Sequence, residues 1–296
     1  MSDFKKEYLK FVKKQESIGE RFQDKQKQLK YFYLPFCRKL FKLYKVKKGP
    51  LVIGLSGGQG SGKSTMSGIL KIIFHYYFNL DVTSFSIDDF YKTSLERRNM
   101  SKSVHPLFAT RGVPGTHDCK MLYNVLRALL KKNFKSVRIP KFDKSIDDRF
   151  KLQYWQKIIK KPDIIILEGW CVGAKPQKLQ DLKKPLNILE KFEDTKLTWR
   201  KKVNNELMTS YYKIFNLIDK KIYLKVPNFK YVLKWRLLQE KKLRLRSKKK
   251  RTMNKKQIER FIMFYERLTK NMLKSYQDND FVIFLDKRHK IKSIKY

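Results

Sequence analysis

The sequence predicts an α/β fold: a five-stranded parallel sheet with helices on both faces. Two observations predict it. Five short apolar runs recur along the chain with helical stretches between most of them, the alternation that builds a parallel sheet. The first of these runs leads directly into a glycine-rich segment and then into a helical pattern, so strand, tight loop and helix follow one another.

Residues 1–48 read as helical and basic, with Gly19 their one glycine. Within them Phe36, Leu40, Leu43 and Tyr44 fall at helical spacing. Gly49-Pro50 then breaks the chain. "LVIGL" (Leu51–Leu55) suits a strand buried on both faces. "MSGILKIIFHYYF" is long enough for a helix, and Asn79 is a plausible end to it. The other four strands are placed at Val82–Ile87, Asp163–Leu167, Lys221–Val226 and Phe281–Leu285. Two late helices carry apolar stripes: Tyr231, Val232, Trp235 and Leu238, then Ile258, Phe261, Ile262, Tyr265, Leu268 and Met272. Asn254 and Gln257 have the spacing to cap the second. Between the stripes, Lys241–Lys256 holds ten basic residues in sixteen and no acid, a solvated charge run.

The net charge is +43. One reading is a nucleic-acid or anionic-membrane partner. The other is compositional, since lysine, isoleucine, asparagine and phenylalanine are all abundant, as AT-rich coding produces. The lysines are spread over nearly every segment and form no single stripe, which favours the second. Cys37, Cys119 and Cys171 lie far apart with no CxxC pair, so a disulfide framework or zinc site is not expected and a cytoplasmic setting is. The N-terminal stretch lacks a signal-peptide apolar run, and no run approaches the length of a membrane span.

The glycine-rich segment fits G-x-x-x-x-G-K-[ST], with Gly57, Gly62, Lys63 and Ser64 at the fixed positions. Its bareness has a physical reason. Consecutive backbone N–H groups must point at phosphate oxygens, and side chains would obstruct them. The helix that follows aims its positive end at the same place. Gly57, Gly58, Gln59, Gly60, Ser61, Gly62, Lys63, Ser64 and Thr65 are thus the expected cradle of a nucleoside triphosphate. Lys63 would bridge the β- and γ-phosphates and Ser64 would ligate Mg²⁺. No N-K-x-D guanine reader is present, and the apolar strand at Asp163–Leu167 ends in a single Glu168 followed by glycine, not the acidic pair of motor ATPases.

Ligands of parallel sheets sit at the carboxyl ends of the strands. "SFSIDDFY" puts Asp88 and Asp89 just past the second strand, and "IIILEGW" puts Glu168 just past the third. A phosphotransferase needs one carboxylate at the acceptor hydroxyl and another near the metal. Asp88 is the candidate for the first task and Glu168, through metal-bound water, for the second. The alternative for Asp88 and Asp89 is a helix N-cap pair.

"GGQGSGKST", "SIDDFY", "RGVPGTHD", "IPKFDKSIDDR", "ILEGW" and "VLKWRLLQE" occur in this order, and over residues 31–286 the chain resembles plant-type D-glycerate 3-kinases and their bacterial and fungal relatives. These belong to the phosphoribulokinase, uridine kinase and pantothenate kinase group of P-loop kinases. The resemblance implies a P-loop NTPase kinase fold with a helical lid. It implies ATP- and Mg²⁺-dependent phosphorylation of the 3-hydroxyl of D-glycerate, giving 3-phosphoglycerate. Lys63 and Ser64 match the loop positions, Asp88 the acid after the second strand, and Arg236 an arginine at the base of the lid. The lysine-dense stretch after Arg236 departs from relatives with fewer charges there. The chain then divides into a helical extension at 1–48 packed on the core and a kinase domain at 49–296, with a lid near 236–256.

A small carboxylate substrate needs cations or several donors. "RGVPGTHD" offers Arg111, His117 and Asp118; "PKFDKSIDDR" offers Lys141, Lys144 and Arg149. Arg111 could hold substrate or form a surface salt bridge, and Lys144 and Arg149 stand in the same position. His117 either bonds a substrate hydroxyl or is satisfied by Asp118. Trp170 reads as core packing. Arg236, with Arg244 or Arg246, would close over the phosphates and exclude water. Other acceptors remain open: a nucleoside, pantothenate or a sugar phosphate. A basic nucleic-acid-binding P-loop protein is a more remote reading, and regulatory nucleotide binding another.

Overall fold

The computed structural model describes residues 3–20, 22–246 and 253–296. Its centre is a six-stranded sheet of β1 (Leu51–Gly57), β2 (Val82–Ser86), β3 (Ile164–Gly169), β4 (Lys220–Lys225), β5 (Phe281–Leu285) and β6 (Ile291–Lys295). The order across the sheet is β6-β5-β4-β1-β3-β2. The first five strands run parallel, and all five were expected from the sequence. β6 is an addition, antiparallel to β5 at the edge. Only Ile291 of its five residues is buried, so it lacks the apolar run that marks the others.

Strand alternation sorts the core into two layers. Leu51, Ile53 and Leu55 of β1 face the helix Lys63–Phe78 and, beyond it, the N-terminal helices Asp3–Ser17 and Leu34–Val46. Val52 of β1 and Ile165 and Leu167 of β3 face the helices Cys119–Leu130, Thr198–Met208 and Lys255–Lys274. The N-terminal helix lies close on its neighbour: a Cβ at Gly68 would stand 2.6 Å from the Phe11 ring. Helix Lys63–Phe78 ends where expected, at Asn79 in the left-handed conformation with φ 53°.

Helix Phe229–Arg246 carries a shorter stripe than the sequence suggests: Val232 and Trp235 are buried, but Leu238 is 43% exposed. Asn254 and Gln257 form the expected reciprocal cap of helix Lys255–Lys274. The basic run between these helices is anchored at both ends. Glu240, buried, accepts from Met253 N–H at 2.7 Å and pairs with Arg236 at 2.7 Å. The middle of the expected lid, 247–252, lies outside the described residues, as does the side chain of Arg246. No helix among the described residues is long and apolar enough to cross a membrane.

A charged cluster is buried beneath the second layer. Arg200 reaches Asp194 at 2.7 Å and Glu190 at 3.6 Å, and Arg267 reaches Glu190 at 2.7 Å. Asp194 is 2% and Arg200 3% exposed. Removing one partner leaves a guanidinium in a medium that solvates it poorly. Asp194→Ala is expected to cost about 3–5 kcal/mol of folding free energy, read from the midpoint of a urea unfolding curve.

Candidate active site

The chain leaves β1 for β2, two places away, returns to β3 between them, and later crosses to β4 on the other side. Such a reversal opens a crevice at the carboxyl ends of the strands. The register makes that crevice level: Leu55 is opposite Glu168, and Glu168 is opposite Ser86. Three segments thus emerge side by side: the glycine loop, Glu168, and the turn that holds Asp88.

The loop conforms to the expected cradle. Gly60 has φ 76°, and a Cβ there would meet Trp235 at 2.8 Å. Strain and contact both require glycine. Lys63 opens the helix, and its ammonium donates to the carbonyls of Gly57 at 2.9 Å and Gly58 at 3.1 Å. Burial pushes the Lys63 pKa down, opposed by the carboxylates of Glu168 and Asp88. Ser64 Oγ donates to Glu168 Oε1 at 2.8 Å. Glu168 Oε2 is buried with no hydrogen-bond partner among the described residues. Burial raises the Glu168 pKa, opposed by the Ser64 hydrogen bond and the Lys63 charge.

The acidic pair after β2 divides its work. Ser86 is the N-cap of a 3₁₀ turn, Ile87–Phe90, and Asp89 completes a capping box by accepting from Ser86 N–H at 3.1 Å. Asp89 thus takes the capping role, while Asp88 turns the other way. Asp88 Oδ2 accepts from Lys144 at 2.7 Å and Oδ1 from the Tyr91 hydroxyl at 3.0 Å. Burial alone would raise the Asp88 carboxyl. The Lys144 ammonium beside it, with His117 and Tyr91, outweighs this and holds it at about 2.

His117 does not pair with Asp118, which instead caps helix Cys119–Leu130 and accepts from Arg149 at 3.2 Å. The imidazole is buried and stacked on Tyr91 at 4.4 Å. Its Nδ1 meets the Tyr211 hydroxyl at 2.5 Å. That hydroxyl also accepts from Gly115 N–H at 3.2 Å. Nε2 is buried and unpartnered. Burial lowers the His117 pKa to about 4, so the ring is neutral near pH 7.

The remaining candidates are committed elsewhere. Arg111 pairs through Nη1 with Asp147, and Arg149 donates to the Tyr91 carbonyl at 2.8 Å. Lys144, read as a substrate ligand, is the ion-pair partner of Asp88. Arg236 pairs with Glu240 and stands over Phe261, while Arg244 donates to the Met253 carbonyl at 3.3 Å. Trp170 is core, as expected, its indole donating to the Gly112 carbonyl at 2.9 Å. The structure therefore brings together Lys63, Ser64, Glu168, Asp88, Lys144 and His117. It does not bring Arg236 to them by any direct contact among the described residues. Sequence reading missed Tyr91 and Tyr211. Tyr91 sits inside the quoted "SIDDFY"; Tyr211 arrives from a distant helix with no local signal. Arg97 was missed too. Buried at 1% exposure, it donates to the carbonyls of Lys92, Ala109 and Asp147, tying together the loops around the site.

Comparison with known proteins agrees with this geometry. A family model described as Phosphoribulokinase / Uridine kinase family matches residues 52–206. An uncharacterized kinase of Schizosaccharomyces pombe is 37% identical over 206 residues, which are 67% of this chain and 72% of that protein. The chloroplastic D-glycerate 3-kinase of Arabidopsis thaliana is 31% identical over 231 residues, 72% of this chain and 48% of that protein. The chain thus matches about half the length of that relative. The solved structure of a D-glycerate 3-kinase from Cryptococcus neoformans has a TM-score of 0.75 at 22% identity, covering 88% of this chain and 96% of that one.

The ion pair at Asp88 has a titration signature. Its folded-state pKa of about 2 lies below the ordinary 3.8. The carboxylate therefore adds stability above the unfolded value, lost as pH falls through about 2. In Lys144→Met the largest acidifying influence is gone, and the Asp88 carboxyl should titrate at higher pH. A ¹³C NMR titration of the side-chain carboxyl checks this; an unmoved midpoint would show that Lys144 does not set it.

Proposed function

This chain is a P-loop kinase of the phosphoribulokinase/uridine kinase family, and from that premise we propose that it transfers the γ-phosphoryl group of ATP to the 3-hydroxyl of D-glycerate, giving 3-phosphoglycerate. The observation that carries the reading is the meeting of Lys63, Ser64, Glu168 and Asp88 at one end of the sheet, with Ser64 hydrogen-bonded to Glu168. The D-glycerate 3-kinase named among its relatives supports the choice of acceptor.

Each side chain has a task in this reading. The loop amides and Lys63 hold the phosphates. Ser64 Oγ and the unpartnered Glu168 Oε2 fit a hydrated Mg²⁺, one hydroxyl and one carboxylate being a donor set typical of that ion. When bound, Mg²⁺ neutralises charge on the β- and γ-phosphate oxygens. Asp88 is ionised at neutral pH and orients the acceptor hydroxyl. A weak base suffices, because the phosphoryl group is largely detached in the transition state and the hydroxyl proton leaves late. His117 Nε2 hydrogen-bonds a substrate hydroxyl. Lys144, Arg149 and the uncommitted N–H groups of Arg111 favour the substrate carboxylate. Arg236 exchanges Glu240 for the transferring phosphoryl group and so helps to shut water out, so that the acceptor and not water is phosphorylated. Residues 49–296 are the kinase domain and residues 1–48 an extension on it. The three cysteines are free, in keeping with a cytoplasmic setting.

A coupled ADP-release assay over glycerate, nucleosides, pantothenate and sugar phosphates tests the acceptor. Glycerate alone should release ADP; release with another acceptor and not with glycerate would transfer the assignment to that compound. Lys63→Ala should abolish turnover. Arg236→Ala should lower kcat by about 10²–10³-fold, with ATP affinity nearly unchanged. An unaltered kcat would remove Arg236 from the reaction.

A further inference from the structure

A cavity opens over the loop, and its walls lie outside the assigned machinery. Its volume is about 330 Å³, within the range of small-molecule sites. Its floor is Gly60 to Met66, and Asp88, Glu168 and Lys144 take no part in its lining. The direction of a bound nucleotide follows from the loop. Lys63 reaches the β- and γ-phosphates, and the loop amides take the α- and β-phosphates. A phosphate chain held by Lys63 and running past Thr65 would lead into this cavity, which both residues line.

Three walls enclose it. Trp235, Gln239 and Lys242 come from helix Phe229–Arg246, and Arg288, His289 and Lys290 from the turn between β5 and β6. Gln15, Glu20, Phe22 and Gln23 come from the N-terminal segment. The His289 and Trp235 rings lie face to face, with centroids 3.7 Å apart and planes at 31°. His289 Nε2 donates to the Gly60 carbonyl at 2.8 Å, which fixes this aromatic pair to the loop. Ser61 lines the cavity, and its Oγ is buried with no hydrogen-bond partner among the described residues. Two ion pairs, Glu20 with Lys242 at 2.8 Å and Asp24 with Lys290, join the N-terminal segment to each of the other walls. Gln28 bonds both backbone groups of Ile291, accepting at 3.0 Å and donating at 3.2 Å. Apart from the loop, every one of these residues lies outside 52–206, the part matched by the family model.

We infer that residues 15–20 and 22–28 are a wall of the nucleobase pocket, and that this cavity takes the adenine and ribose of ATP. The His289 ring, backed by the buried Trp235, is its platform. The amides of Gln15 and Gln23, which have no hydrogen-bond partner among the described residues, read the base edge. A carboxamide can accept from the adenine amino group and donate to a ring nitrogen at once. Glu20 and Lys242 are positioning residues that hold this wall against the helix. The inference rests on the loop's binding the triphosphate, as proposed above.

Calorimetric titration of the full chain with Mg·ATP and with inorganic tripolyphosphate tests it. In Gln15→Ala/Gln23→Ala the Kd for ATP should rise about tenfold while that for tripolyphosphate stays put. Glu20→Lys should weaken ATP similarly, and the charge-swapped pair Glu20→Lys/Lys242→Glu should restore it. Wild-type ATP affinity in the double alanine variant, with Lys63→Ala losing both ligands, would overturn the wall and leave the loop assignment intact. ATP binding retained by Lys63→Ala would instead overturn the loop assignment and the inference with it.

Discussion

The site depends on the register of three parallel strands. β1, β3 and β2 are aligned so that Leu55, Glu168 and Ser86 lie in one row. That alignment is enforced from below by the two apolar layers. A slip of one residue would turn Ile53 and Leu55 out of one layer and into the other, at a cost of several buried side chains. Packing thus fixes, to within the length of one side chain, where a serine, a carboxylate and an aspartate turn meet. The chemistry needs no further device to bring Ser64 to Glu168.

Electrostatics then sets the state of each group. The crevice concentrates carboxylates and cations in a poorly hydrated place, and the members do not share one fate. Glu168 is pushed up by burial, whereas Asp88, equally desolvated, is held down by Lys144. His117 is kept neutral by burial and so presents one N–H and no charge. Two carboxylates of one crevice thus carry opposite shifts, one set by burial and the other by an ion pair. The chain's charge of +43 forms the background to this, and a field of that sign favours the approach of anionic metabolites.

Much of this was legible in the sequence, for physical reasons. The parallel strands were readable because burial on both faces demands unbroken apolar runs, and the loop because a backbone cradle demands glycine at fixed spacing. Asp88 and Glu168 were readable from their place at strand ends, although β3 runs one residue beyond Glu168 and so includes it. The other residues were hidden by long range. Nothing near Arg111 announces Asp147, and nothing near His117 announces Tyr211, since such pairs exist only once the layers have packed. Trp235 read as one member of an apolar stripe and is buried as one. β6 escaped because an edge strand needs little apolar character. Asp89 shows the reverse case: the capping pattern was visible, but only the geometry told which of two adjacent aspartates performed it.

The bond between Gln28 and Ile291 joins residues 263 positions apart. A protein made from its N-terminus onward cannot close that bond until residue 291 has left the ribosome. The sheet's inner strands can pair earlier, but the N-terminal segment must wait, tethered through its helix and without its seat. The seat of Gln28 on β6 is therefore made late, after the five parallel strands have been synthesised.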